Sequence, residues 1–583
     1  MPGTSKVKVA PIHCGQGVTS LFQKWYLAPQ LDQKYGKKQT VLIFGVRHPI
    51  WAPNIVPHRS AAGYSGNHKK LFKRGVVMAS TVYSFGLSGI EGHIVEVETE
   101  TILGVNSVSI VGLGDKAVKE AKERLEAAIT HSGFAFPFQK VVFNLAPSDM
   151  KKTGTHYDLA MAIGLLIRTE QLRSSNLDKI GFIGELSLNA FVRPVSGVLP
   201  MVLKAKEIGL KKIILPMENV REGSLVSGIE ICGCETLLEV TEILSGKTHP
   251  PKKPQIYTPK PFEPINDFTD VKGHGHLIEY IAIAAAGGHN LLMIGPPGCG
   301  KSMIAKRIPS ILPEMSEEES LEVTKIYSVA NMLKEKGTLI KNRPFRAPHH
   351  NASTNSLIGG GSFAKPGEIS LAHHGVLFLD EISEFSKKTL ESLRQPLEDK
   401  SVTITRVWGS NTYPANFMLV GAMNPCPCGY FGQNKCRCTD YEIAKYRNKL
   451  SGPILDRMDI QKYVEPVDFF EKEHRSIDSN DLRKRVIKAR QIQEKRYKNF
   501  PAINCNAQLP PALLDEFCKL DSESKALLRT ANERFRFSGR SLHKFIKVAR
   551  TIADIEGEAK IHVHHMRKSI FSRDLDKENL WSE

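Results

Sequence analysis

From Ser80 to Glu100 the chain reads "STVYSFGLSGIEGHIVEVETE", with apolar and polar residues alternating at the two-residue period of strands. "SVSIVGLG" continues the strand pattern. "KAVKEAKERLEAAITHSG" switches to helical spacing and stops at Gly133. "KVVFNLAP" predicts a strand, "YDLAMAIGLLIRTEQL" a helix and "KIGFIGELSLN" another strand. "GVLPMVLKAKEIGLKKIILP" reads as helix then strand, so residues 78–246 form one α/β domain. "SGKTHPPKKPQIYTPKPFEPI" follows with six prolines and predicts an extended linker, assigned to 247–266. A second α/β block is expected over 267–480 and a helical region over 481–583.

Residues 1–77 show no sustained period, and the texture changes abruptly at Met78. They carry twelve Lys or Arg against one acid, Asp32, which is +11 of the chain's net +18. This segment is read as an upstream extension, with Met78 as the expected start. The alternative is a disordered basic arm that touches nucleic acid. A net +18 points to a polyanionic partner, but most of the excess sits in this segment.

Composition is that of an ordinary globular protein, with 41% hydrophobic and 24% charged residues. The 583 residues suffice for three or four domains. No apolar run reaches the ~18 residues of a transmembrane helix, and no signal peptide is visible. The reducing cytoplasm is therefore the expected compartment, with no membrane partner. Ten cysteines in so long a chain do not make a disulfide scaffold.

"NLLMIGPPGCGKSMIAKRI" is the strongest chemical signal. An apolar strand runs into Gly295, Pro296, Pro297, Gly298, Cys299, Gly300, Lys301 and Ser302, then into a helical pattern. This is a phosphate-binding loop. Its glycines let backbone N–H groups close on phosphates. Lys301 would neutralise the β- and γ-phosphates of ATP, and the Ser302 hydroxyl would ligate Mg²⁺. A second apolar strand, "GVLFLDE", ends in Asp380 and Glu381, the Walker B arrangement. Asp380 would hold Mg²⁺, and Glu381 would orient the attacking water. A third, "NFMLVGAMN", delivers Asn424, suited to fixing that water.

"LSGPILDRMDI" then offers Arg457 as an arginine finger reaching a neighbouring subunit's nucleotide, or as a local salt bridge. Arg540 opens the helical pattern "GRSLHKFIKVARTIADIEG" and suits a sensor that reports the nucleotide to a lid. Two inserts are candidates for pore-facing contacts with a polyanion. One is "NSLIGGGSFAKPGEI" with Lys365. The other is "LEDKSVTITRVWGSNTYPANF", read as a β-hairpin bearing Lys400 and Arg406. The hairpin would equally suit packing between subunits. The basic helix "LRKRVIKARQIQEKRYK" is either a nucleic-acid contact or a solvated face.

"MNPCPCGYFGQNKCRCTDYE" packs Cys426, Cys428, Cys436 and Cys438 into thirteen residues. Two close thiol pairs across a loop suit tetrahedral Zn²⁺. A reduced loop or disulfides are the other readings.

The motif order, with "RPFRAPHHNASTNSLIGGG", "KPGEISLAHHGVLFLDEISEF" and "LESLRQPLED", resembles the magnesium-chelatase-like branch of AAA+ ATPases. Within it the chain resembles the ComM (YifB-type) family over about residues 78–583. The resemblance implies a Lon-protease-like N-terminal α/β domain, an AAA+ P-loop ATPase core and a C-terminal helical lid. It further implies a hexameric motor that uses ATP and Mg²⁺ and drives DNA branch migration during natural transformation. A metal-chelatase motor subunit or a protein-remodelling ATPase is the alternative. Lon carries a Ser–Lys dyad; here His156 stands at the serine position and Leu199 at the lysine position. No acyl-enzyme is expected by that route, and Lys151, Lys152 and Thr153 are weak substitutes.

Overall fold

The computed structural model describes residues 79–174, 176–247, 266–333, 337–361, 364–406, 409–466 and 477–575. The readings for 1–77 and for most of the proline-rich linker lie outside these residues. The described parts of Val77–Glu583 form one compact unit.

Strands Ser80–Ser88 and Glu91–Ile102 pair antiparallel around a two-residue turn. Gly89 has φ 62°, the left-handed start that a tight hairpin turn requires. Seven strands form one mixed sheet. Their order is Ser107–Val111, Lys140–Ala146, Glu91–Ile102, Ser80–Ser88, Ile180–Phe182, Lys212–Pro216 and Glu230–Cys234. Side chains alternate across it. Val95, Val97 and Ile214 join one core with helices Ala121–His131 and Asp158–Arg168. Phe85, Ile213 and Leu215 join the opposite core with helix Val198–Glu207. Helices thus cover both faces. "KIGFIGELSLN" does not make a single strand: it divides into Ile180–Phe182 and a separate small hairpin in which Glu185–Leu186 pairs with Val192–Arg193. At the break a Cβ on Gly184 would lie 2.7 Å from Val192.

The second block is a parallel five-stranded sheet. Its order is Phe345–Arg346, Val376–Leu379, Met418–Met423, Leu291–Ile294 and Ile460–Tyr463. The three central strands are buried at every position, as parallel strands covered on both faces must be. Met293, Phe378 and Val420 face a core shared with helices Gly275–Gly287, Ser479–Arg496 and Gly539–Glu556. Leu292, Leu377 and Leu419 face the other core, which contains Val402, Ile404 and Tyr413.

Helix Ser479–Arg496 starts two residues before the expected lid boundary and is anchored to the core at its beginning. Ser479 Oγ accepts the Phe268 N–H at 2.8 Å. Helices Ser522–Phe535 and Val563–Ile570 complete the lid. The basic helix spends part of its charge inside the chain: Arg483 pairs with Glu314 at 2.9 Å, and Arg496 pairs with buried Asp554.

The two α/β blocks meet along helix Glu317–Val329. Ser328 Oγ donates to Glu222 at 2.5 Å, Gly197 N–H donates to the Ser328 carbonyl at 3.1 Å, and Lys325 pairs with Glu91 at 3.2 Å.

Candidate nucleotide site and its cysteine loop

Strand Leu291–Ile294 delivers the loop at the carboxyl edge of the parallel sheet, where open α/β sheets bind ligands. Gly298 and Gly300 take φ 79° and 84°, conformations that favour glycine. At Gly295 a Cβ would stand 2.5 Å from the Val464 carbonyl oxygen. Gly300 leads directly into helix Lys301–Ala305, whose free N–H groups face the loop.

Four of the expected residues converge here. Lys301 Nζ is folded into the loop and donates to the Gly295 and Pro296 carbonyls at 2.7 and 2.9 Å. It also lies 3.4 Å from Asn424 Oδ1. Ser302 Oγ donates to Asp380 Oδ2 at 2.6 Å. Strand Met418–Met423 lies between the other two, so Asn424 emerges beside both Lys301 and the acidic pair. A hydroxyl and a carboxylate side by side, next to a lysine, form a hard oxygen donor set that fits Mg²⁺ with a polyphosphate.

Glu381 adopts φ 48°, which is uncommon for a residue with a side chain. Its N–H donates to Asp380 Oδ1 at 3.0 Å, and its carboxylate is 56% exposed. His350 Nδ1 lies 3.5 Å from that carboxylate. No local pattern signals this pair, because His350 and Glu381 stand 31 positions apart in the chain.

Arg457 and Arg540 lie elsewhere. Arg457 pairs with Glu398 at 2.6 Å, and Arg540 reaches the same carboxylate oxygen at 3.7 Å. The Arg457 carbonyl accepts from Asn290 Nδ2 at 2.9 Å. Asn290 precedes the amino end of strand Leu291–Ile294, whereas the loop begins at its carboxyl end. From Asn290 to Gly295 the chain advances five positions along the strand direction, ~16 Å. Both arginines therefore sit at the opposite edge of the sheet from their own chain's phosphate loop.

The hairpin forms as expected, Ser401–Arg406 against Gly409–Pro414. Lys400 does not extend it. At φ 54° it closes helix Arg394–Asp399 and lines a cavity with Arg343 and Arg490. Burial lowers its pKa.

The four cysteines gather. Sγ separations are 3.4 Å for Cys426–Cys428, 3.9 Å for Cys426–Cys436 and 3.7 Å for Cys428–Cys436. All four sulfurs, Cys438 included, lie within 4.8 Å of one another. A tetrahedral site with Zn–S near 2.3 Å has edges of ~3.8 Å, so the donor set fits that ion. Backbone N–H groups of Arg437 and Tyr430 lower the Cys428 thiol to about 6. The loop abuts the phosphate loop: a Cβ at Gly429 would stand 2.7 Å from Pro297 Cδ. Arg447 braces the far side, with its Nε donating to the Pro425 carbonyl at 3.3 Å and its guanidinium 4.7 Å from the Phe431 ring centroid.

In the N-terminal domain, Leu199 is fully buried and His156 nearly so. The buried Lys152 amine donates to the carbonyls of Pro147 and Met150.

No helix among the described residues is long and apolar enough to cross a membrane. Family descriptions match three stretches: "Magnesium chelatase, subunit ChlI" over 267–471, "Subunit ChlI of Mg-chelatase" over 95–219, and "Magnesium chelatase, subunit ChlI C-terminal" over 476–573. The chain is 39% identical to the competence protein ComM of Haemophilus influenzae, over 84% of this chain and 96% of the relative. It is also 39% identical to the YifB protein of Escherichia coli, over 85% of this chain and 97% of the relative. A shorter match, 35% identical over 98 residues, covers 16% of this chain and 17% of Lon protease 2 of Bacillus subtilis. On the geometry of its phosphate-loop core and these matches, the chain belongs to the ComM/YifB family of magnesium-chelatase-like AAA+ proteins.

Proposed function

We propose that this protein is an ATP-hydrolysing motor that assembles into a ring, most simply a hexamer, and moves branched or single-stranded DNA. The observation that carries the reading is the division of the site. Lys301, Ser302, Asp380 and Asn424 cluster at one edge of the sheet, while Arg457 and Arg540 share Glu398 at the other. An arginine ~16 Å from its own loop along the strand direction serves a neighbour's nucleotide instead. A ring supplies that neighbour to every subunit.

In this reading Lys301 exchanges its two carbonyl partners for the β- and γ-phosphates. Ser302 and Asp380 would hold Mg²⁺, which when bound would offset charge on the phosphates. Glu381 orients the attacking water, and Asn424 fixes it against the γ-phosphate. Arg457 and Arg540 of the adjacent subunit offset the developing negative charge. Lys365 and Arg406, both exposed on the inserts, track the DNA backbone. The four cysteines would hold one structural zinc ion, and the loop they close sets Gly429 against Pro297. The N-terminal domain acts as a platform and not as a protease, since a buried imidazole and a buried leucine replace the nucleophile and base. The competence role printed in the name of the Haemophilus relative favours DNA as the cargo.

A second reading rests on the family descriptions, which name a magnesium-chelatase subunit. A chelatase motor hydrolyses ATP without regard to DNA. Unwinding of a labelled four-way junction tests the choice. ATP-dependent strand separation, lost in Glu381→Gln, supports the DNA motor. Intact junctions with active ATP turnover support the chelatase-type motor.

A further inference from the structure

A cavity of about 460 Å³ lies between the N-terminal domain and the two inserts of the core. Its rim carries Lys151, Lys365 and Arg406 against one acid, Asp149. Its floor holds His93 and His156. His156 is only 7% exposed, yet its Nε2 has no partner; neither ring nitrogen of His93 has one. Buried polar atoms are nearly always paired, so three orphaned ring nitrogens lining one cavity are unusual. Burial and the neighbouring His93 keep the His156 ring neutral, so one of its two ring nitrogens carries a bare lone pair. The floor therefore wants a hydrogen-bond donor and the rim wants an anion. A nucleotide offers both, in its base or sugar and in its phosphate, and the volume suits one such unit. The walls are fixed: Tyr413 of the hairpin donates to the Ala364 carbonyl of the other insert at 2.7 Å. At Gly89 the N-terminal domain approaches so closely that a Cβ would lie 2.9 Å from the Thr412 carbonyl oxygen.

We infer that this cavity is a second nucleotide-unit site, distinct from the phosphate loop, with phosphate on Lys365 and Arg406 and donor groups on His156. Two sources present the same chemistry: a residue of the DNA strand being moved, or a free mononucleotide. The strand version rests on the DNA reading above; the free-nucleotide version does not.

The test uses the full chain carrying Lys301→Ala, so that the phosphate loop does not compete. Fluorescein-labelled oligothymidylate is followed by anisotropy, and radiolabelled adenosine monophosphate by equilibrium dialysis. At least one probe binds, and its Kd rises about tenfold in each of Lys365→Ala, Arg406→Ala and His156→Phe, as one lost charge-assisted or buried hydrogen bond implies. His156→Gln keeps an acceptor and retains most of the affinity, even if the phenylalanine variant folds poorly. Binding of the oligonucleotide alone assigns the site to the strand. Binding of the mononucleotide alone assigns it to a free ligand and leaves the DNA reading to the ATPase assay. The inference is overturned if neither probe binds, or if the rim substitutions weaken binding while His156→Phe and His156→Gln both match the parent.

Discussion

Ser302 and Asp380, 78 residues apart in the chain, meet through a 2.6 Å hydrogen bond at the mouth of the phosphate loop. The contact joins a helix start to a strand end, and only the parallel sheet brings them together. It leads to a clear separation of roles. Glu381→Gln leaves Ser302, Asp380 and Lys301 in place, so ATP binding persists while turnover falls roughly 10²–10³-fold. Ser302→Ala and Asp380→Asn instead weaken Mg²⁺-dependent ATP binding itself. Single-turnover hydrolysis with parallel nucleotide-binding titrations checks both; normal turnover in Glu381→Gln contradicts its role.

Arg457 and Arg540 should behave as groups supplied to a neighbour. Arg457→Ala keeps ATP affinity and loses about 10³-fold in turnover. Mixing Arg457→Ala with Glu381→Gln chains restores part of the activity, because some interfaces then combine an intact finger with an intact carboxylate. An ATPase assay of the two variants, alone and mixed, reads this directly. No recovery on mixing speaks for a purely internal role at Glu398.

The cysteine loop should carry about one zinc ion per chain. The approach of Gly429 to Pro297 ties the loop to the nucleotide site. Cys436→Ser should lower both the zinc content and the ATP affinity, the latter several-fold, alongside the melting temperature. Metal analysis and ATP titration of the variant decide it; full zinc loss with unchanged ATP affinity rejects the bracing role.

Acid should weaken the N-terminal domain through His156. Burial, reinforced by His93, pushes its pKa down to about 3 in the folded chain, from 6.5. The folded state refuses a proton that the unfolded chain accepts. Stability is therefore fully present above about pH 6.5 and falls as pH drops towards the folded value. The slope approaches about 1.4 kcal/mol per pH unit for one such proton. His156→Phe removes this share, so the wild type and variant diverge in urea unfolding between about pH 7 and about pH 5.5. Identical slopes contradict the assignment.

Much of this was legible in the sequence because the signals are local. The phosphate loop, the Walker strand and the hairpin each announce themselves within a dozen residues. Period and glycine placement also predicted the helix stop at Gly133. What escaped was tertiary. Lys400 looked like a hairpin residue, yet a left-handed backbone turns it into the cavity under the lid. Arg457 and Arg540 are 83 residues apart, and nothing local signals that Glu398 holds both. His350 meets Glu381, and Gly429 meets Pro297, only because adjacent strand tips share one edge of the sheet.

The most direct test of the central claim is steady-state ATP hydrolysis by the full chain, with and without single-stranded DNA or a four-way junction. The account predicts that DNA stimulates hydrolysis several-fold and that Lys365→Ala with Arg406→Ala removes the stimulation but not the basal rate. Equal rates with and without DNA, at concentrations where the ring is assembled, would contradict it.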